Sequence, residues 1–387
     1  MTRKNTMYSK ILGLAENLTV NSTPERPLWN QEIVMGHIEP GWNYIDGCML
    51  KAILDLYGAT GEQKYLDFAD SFTSYFISDN GEILGYNKEA YNSDFINGGK
   101  VLFTLYKLTG KEKYRKGIET LHTQLLSHPR TVSGNFWHKL IYPNQVWLDG
   151  LYMTLPFYAE YETLFNKSEK TRDIFKQFQN VHEHMRDAET GLLYHGRDEA
   201  LECFWADGST GLSKNFWSRS LGWYSMALLD TAEKIDERQF YEKETLIRYL
   251  REVVDSMLCA ADPNTGMLWQ VTNQGGREGN YLETSASSAF AYVLMKGARL
   301  SYLPEYYFDK GKKVFDSIVD NKLMETEDGL ALSDICLVAG LGVYSGKGDY
   351  KERDGTFEYY ISEPRVDNDA KGVAPFLMAF AEILRKR

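Results

Sequence analysis

Two acidic stretches carry the residue types that proton chemistry needs. Gln145-Val146-Trp147-Leu148-Asp149-Gly150-Leu151-Tyr152-Met153 sets a carboxylate between an indole and a glycine, at the head of an apolar run through Leu155, Phe157 and Tyr158. Asn92-Ser93-Asp94-Phe95-Ile96-Asn97 places a second acid earlier in the chain, ahead of Gly98-Gly99. Aspartate is disfavoured inside a helix and suits its first turn, where backbone N–H groups are unpaired. Gly150 lets a neighbour approach the backbone, and Trp147 puts a flat apolar face beside the acid. The plain alternative is a helix cap with an aromatic neighbour; the functional one is a carboxyl group that gives up a proton and takes one back.

The elements that must position these acids repeat along the chain. Amphipathic segments at about residues 6–19, 62–76, 111–127, 168–186, 239–259 and 304–320 alternate with apolar, glycine- and alanine-rich ones. The apolar segments open near Asp46, Asp94, Asp149, Arg219, Glu283 and Asp367. A helix apolar nearly all round must be buried, while an amphipathic one turns its polar side to water. Six of each in alternation predict an all-α fold, an (α/α)6 barrel with an inner ring inside an outer one, read as one domain over residues 1–387. An open α-solenoid is the alternative, but the inner segments are too apolar for an exposed concave face. Strand signals are few: Gly191–His195 and Gly266–Val271 suggest short ribbons in loops. In such a barrel all inner helices run in one direction, so their opening residues meet at one mouth. The preceding loops rim it with Trp42, Tyr44, Trp137, His138, Lys139, Trp147, His195, Trp205 and Trp217.

Composition narrows the ligand. Aromatics make up 14% of the chain, with 26 Tyr, 19 Phe and 8 Trp, enough to line a sugar-binding cleft as well as a core. A net charge of −11 argues against nucleic-acid and anionic-membrane partners, and obliges any anionic substrate to find local cations. Cys48, Cys203, Cys259 and Cys336 are too scattered for a zinc site and read as reduced thiols. Gly275-Gly276-Arg277-Glu278-Gly279 lacks the lysine of a phosphate loop, so no metal, nucleotide or other cofactor is expected. No apolar run of signal-peptide or membrane-span length occurs, which places the expected location in the cytoplasm.

The Trp147-Leu148-Asp149-Gly150-Leu151-Tyr152 element, with Asp94 in its own motif, resembles family 105 of the glycoside hydrolases, the unsaturated rhamnogalacturonyl hydrolases. Tyr194-His195-Gly196 and Phe216-Trp217-Ser218-Arg219 extend the likeness, and Ser220-Leu221-Gly222-Trp223 departs from the family's Gly-Asn-Gly-Trp. The resemblance implies a small oligosaccharide substrate ending in a 4,5-unsaturated uronic acid, such as Δ-galacturonyl-rhamnose. It implies hydration of the vinyl ether rather than attack at the anomeric carbon, with Asp149 as acid and base. Asp94 is expected to be its close partner, since like charges sharing a site oppose ionisation. Arg219 and Lys139 are the expected cations for the uronate, His195 a hydroxyl or water ligand, Trp147, Trp217 and Trp223 stacking faces, and Trp42 and Tyr44 the leaving-sugar side. An unsaturated glucuronyl hydrolase is the nearest alternative. A sugar epimerase would need paired histidines, for which only His195 and His138 are available, and a solenoid binding protein would lack the acidic cluster.

Overall fold

The computed structural model describes residues 3–327, 329–346 and 349–386. The inner helices are Tyr44–Thr60, Ser93–Asn97 continued by Lys100–Thr109, Leu148–Phe165, Ser218–Lys234, Thr284–Arg299 and Ala370–Arg385. The outer ones are Arg3–Val20, Gln63–Phe76, Glu112–Ser127, Thr171–Met185, Phe240–Ala260 and Tyr306–Lys322. Each inner helix packs on the next, and Ala370–Arg385 packs back on Tyr44–Thr60. The ring is therefore closed, and the fold is the expected (α/α)6 barrel rather than an open solenoid. Arg3–Val20 serves as the outer partner of the last inner helix, its Tyr8 ring meeting Phe380 edge-on at 5.2 Å.

Burial follows the pattern that the sequence encodes. Every residue from Ser218 to Ala232 and from Ala370 to Ile383 is buried, whereas Gln63–Phe76 and Thr171–Met185 bury one face only. The outer ring also holds contacts that periodicity does not reveal. His182 shares a hydrogen bond with Glu252 at 2.7 Å and stacks on Tyr249 at 3.9 Å. No helix among the described residues is long and apolar enough to cross a membrane.

The second inner helix is broken at Gly98-Gly99, and the break shapes the mouth. It frees the Phe95 carbonyl, which accepts the indole N–H of Trp42 at 2.8 Å. A Cβ on Gly98 would sit 2.7 Å from the Trp42 ring, so only glycine admits the indole there. Gly98→Ala is expected to cost about 1–3 kcal/mol of stability by overpacking and to displace Trp42. A lowered melting temperature together with a raised KM checks this; a variant with both unchanged would exclude it.

The strands are two-residue to five-residue ribbons on the loops. Instead of a strand at Gly191–His195, Leu193 makes one bridge to Arg186 and the paired strand lies at Gly196–Asp198. In Gly266–Val271, Val271 bridges to Trp217 and Trp269 to Leu282. A segment of low periodicity between the last outer and last inner helices forms two further hairpins and the short helix Phe357–Ser362.

Candidate active site

A three-residue ribbon positions Asp149. Gln145–Trp147 pairs antiparallel with Gly196–Asp198, and the register sets Trp147 opposite Gly196. The chain turns into helix Leu148–Phe165 immediately afterwards, with Asp149 in the first turn and Trp147 at the cap in extended conformation. The Leu148 N–H donates to the His195 carbonyl at 3.1 Å. The two sequence motifs are thus clasped by their backbones, and His195 Nε2 arrives 3.3 Å from Asp149 Oδ2. His195 is fully buried and reaches Asp149 from behind the cavity wall; its Nδ1 lies 2.8 Å from the Tyr360 hydroxyl.

Gly150 has the role its type suggests. A Cβ there would meet His138 Nδ1 at 3.1 Å, so the missing side chain admits the imidazole. His138 stacks on Trp147 at 4.3 Å, and its Nδ1 shares a hydrogen bond with Ser93 Oγ at 3.1 Å. Burial, helped by the Lys139 ammonium, pushes its pKa well below the usual value, so His138 is neutral near pH 7. It lines the cavity, where a neutral imidazole can give or accept a hydrogen bond.

Asp94 follows Asn92, whose side chain caps the helix by accepting from the Asp94 N–H at 3.0 Å. Its carboxylate is held by Lys139, Nζ to Oδ2 2.6 Å. Burial works to lower the Lys139 pKa, but the charge and hydrogen bond of Asp94 outweigh it and the net shift is upward. Sequence reasoning assigned Asp94 the task of opposing ionisation at Asp149; the structure adds a cation that compensates much of its charge. Asp94→Asn is expected to lower kcat/KM by roughly ten- to a hundredfold. Because the two residues act as a pair, Asp94→Asn combined with Lys139→Met is expected to lose less than the product of the single losses. Multiplicative losses in that double-mutant cycle would dissolve the pair.

These groups face a cavity of about 490 Å³ at the mouth of the barrel. Asp94, Asp149, Lys139, Arg219, Trp42, Tyr44, Trp147, Trp217 and Trp223 all line it; His195 does not. Exposures of 6% for Trp147, 1% for Trp217 and 2% for Trp223 make these indoles a packed wall more than a stacking platform. The partly exposed rings are Tyr44, Phe95 and Tyr142. Burial, reinforced by Glu32, raises the Tyr44 pKa well above normal and keeps its hydroxyl a donor. Arg219 Nη1 donates to the Cys336 carbonyl, and Nη2 reaches the Leu337 carbonyl at 3.4 Å, so part of its fork is spent on the chain.

Three of the helix-opening residues expected at the mouth are placed elsewhere, and Trp137 and Trp205, expected on its rim, do not line the cavity either. Asp46 is buried beneath it, accepting from Trp29 Nε1 at 2.8 Å and Asn43 Nδ2 at 2.7 Å, with its pKa pushed up to about 6 chiefly by burial. Glu283 caps its own helix through the Ala286 N–H. The last inner helix is capped by buried Asp369 rather than by Asp367, which is exposed two residues outside it. Lys371 joins Asp369, at 3.1 Å, to Glu32, at 3.3 Å, and Glu32 lines the cavity. Sequence reasoning also missed Arg353 and the Val338–Gly340 segment, which form part of the wall. Their signal is faint: an aperiodic stretch between two clear helices.

A second, larger space of about 810 Å³ lies on the outer wall beside Arg251, Tyr306 and Lys386. It holds none of the acids at the inner-helix N-termini, so the smaller cavity is the candidate active site.

A barrel that gathers two carboxylates, an imidazole and cations at one mouth suits sugar chemistry, and comparison with known proteins agrees. A model of Glycosyl Hydrolase Family 88 matches residues 24–387. A family 105 glycoside hydrolase from C. acetobutylicum is 42% identical, with a TM-score of 0.86 over 99% of both chains. Protein Atu3128 of Agrobacterium fabrum is 37% identical over 240 residues, 60% of this chain and 98% of that one. Unsaturated rhamnogalacturonyl hydrolase YesR of Bacillus subtilis is 24% identical over 267 residues, 67% of this chain and 72% of that one. The protein is a glycoside hydrolase. It belongs to Glycosyl Hydrolase Family 88 and, with its family 105 relatives, to the unsaturated uronyl hydrolases.

Proposed function

We propose that the protein removes the 4,5-unsaturated galacturonyl residue from the non-reducing end of small pectin-derived oligosaccharides such as Δ-galacturonyl-rhamnose. The observation that carries this reading is Asp149, held by a backbone clasp at the mouth of a cavity that also contains Asp94 with Lys139, and Arg219. The vinyl ether of an unsaturated uronate needs a proton at C4 and water at C5. Asp149 donates the first proton; water attacks C5 and returns a proton to the Asp149 carboxylate. The hemiketal then collapses, the ring opens and the neighbouring sugar leaves, so atoms and charge balance without a covalent intermediate. The carboxylate-separation rule for ordinary glycosidases does not apply to this route.

The leaving-sugar side supports a neutral sugar. The segment from Glu32 to Ile45 supplies part of the wall with Ile38, Pro40, Trp42 and Tyr44, and brings the acids Glu32 and Glu39 to it. Apolar surface suits the methyl group of a deoxysugar, and acids disfavour a second uronate. The similarity to YesR points the same way. The four cysteines are unpaired and Cys259 is exposed, which supports a cytoplasmic setting. The test is incubation with unsaturated uronyl disaccharides, following loss of the ultraviolet absorbance of the C=C bond. Δ-galacturonyl-rhamnose is expected to exceed a substrate with an acidic leaving sugar by on the order of tenfold in kcat/KM. Absence of turnover on all unsaturated uronides would overturn the reading; preference for an acidic leaving sugar would overturn the assignment of rhamnose.

A further inference from the structure

We propose that Tyr360 is a positioning residue of the reaction, holding His195 in the tautomer that carries its proton on Nε2, toward Asp149. The inference rests on the reading of Asp149 as proton donor, and its geometry stands apart from the motifs that suggested that reading. Tyr360 belongs to the short helix Phe357–Ser362, far in sequence from both catalytic-site motifs. Its hydroxyl lies 2.8 Å from His195 Nδ1, and both side chains are fully buried. Asp149 Oδ2 and His195 Nε2 lie 3.3 Å apart, a close contact without hydrogen-bond alignment, and neither atom has a hydrogen-bond partner among the described residues.

Counting hydrogens decides the direction. The phenol has one hydrogen to give, and burial keeps the Tyr360 pKa well above its usual value, so that hydrogen stays on the oxygen. If Nδ1 carried the imidazole proton, it would donate to the phenol oxygen. The phenol hydrogen would then be buried without an acceptor among the described residues, and the Nε2 lone pair would confront the Asp149 carboxylate. With the hydroxyl donating to Nδ1, Nε2 carries the proton and sets a positive N–H edge beside the Asp149 carboxylate. The phenol and Nδ1 are then satisfied, and the contact between Nε2 and Oδ2 is attractive rather than repulsive. An N–H edge beside Oδ2 favours the carboxylate that exists between the two proton transfers and leaves Oδ1 to meet the substrate.

The surroundings hold the phenol in this position. Its ring stacks on Trp217 at 6.2 Å and 15°. Gln270 accepts from the Trp217 indole N–H at 3.1 Å and donates to the Tyr360 carbonyl at 3.0 Å. Tyr360→Phe keeps the ring and removes only the hydroxyl.

The test is nitrogen NMR on protein carrying ¹⁵N-histidine, with His195 assigned by its loss in His195→Gln, alongside kinetics of Tyr360→Phe. In the wild type, Nε2 is expected in the protonated range and Nδ1 in the unprotonated, hydrogen-bonded range. In Tyr360→Phe the two signals should move toward a tautomer mixture, kcat should fall by on the order of tenfold or more, and KM should stay within about twofold, the pattern of a lost orienting partner. A wild-type His195 protonated on Nδ1 overturns the proposal even if the variant fails to fold. So does a Tyr360→Phe enzyme with unchanged histidine signals, or one in which KM alone changes. The NMR result does not depend on the substrate, so failure of the proposed reaction and failure of this inference are distinguishable.

Discussion

Asp149→Asn is expected to reduce kcat by roughly a thousandfold or more, with substrate affinity preserved within about threefold. The amide keeps the shape and most of the polarity of the carboxyl group, but cannot deliver a proton to C4 or collect one from water. The backbone clasp is independent of the side chain: the ribbon pairing and the Leu148 N–H bond to the His195 carbonyl persist in the variant. A loss confined to kcat therefore reports lost proton transfer, not lost structure. Burst kinetics and calorimetry with the unsaturated disaccharide separate the two parameters. A variant that turns over within about tenfold of the wild type would remove Asp149 from the mechanism, because a positioned acid or base is worth more than that.

Arg219→Ala is expected to lower kcat/KM by very roughly thirtyfold to a thousandfold, about 2–4 kcal/mol of transition-state binding. Two routes lead to that loss. The guanidinium lies 4.7 Å over the Trp217 ring, is 2% exposed and lines the cavity, where its charge can meet the uronate. It also ties the carbonyls of Cys336 and Leu337, so its removal loosens the wall at Val338–Gly340. Arg219→Lys is expected to recover only part of either function, since an ammonium lacks the planar fork. A substrate analogue with its carboxylate reduced to an alcohol separates the routes. If the uronate loses about tenfold more affinity than the analogue, Arg219 holds the carboxylate. If both lose equally, Arg219 anchors the wall, and Lys139 and Arg353 become the positions to test.

Much of the candidate site was legible because short-range rules place its residues around one cavity. An aspartate in a first turn can be recognised from its neighbours, and the apolar run after Asp149 states that its helix is interior. Six such helices in alternation with amphipathic ones imply a common mouth, and with it Asp94, Lys139 and Arg219 as companions. The same rules erred by two residues at Asp367, because Asp369 is an equally good cap and only the packed helix shows which one is used. They also treated every mouth residue as cavity-lining. Asp46 and Glu283 carry the right chemistry but turn it onto backbone and indole N–H groups.

Periodicity and capping depend on residues a few positions apart, so the linear chain determined the helices, their inner or outer rank and the end at which the acids collect. Hydrogen-bond partners between distant segments do not leave such a trace. That Lys139 is committed to Asp94, that Arg219 spends part of its fork on Cys336 and Leu337, and that His195 stands behind Asp149 against Tyr360 required the closed ring. Closure brings segments near residues 94, 149, 195, 219 and 337–360 into one space. There each donor bonds the acceptor that geometry offers, and residue type alone cannot name that partner.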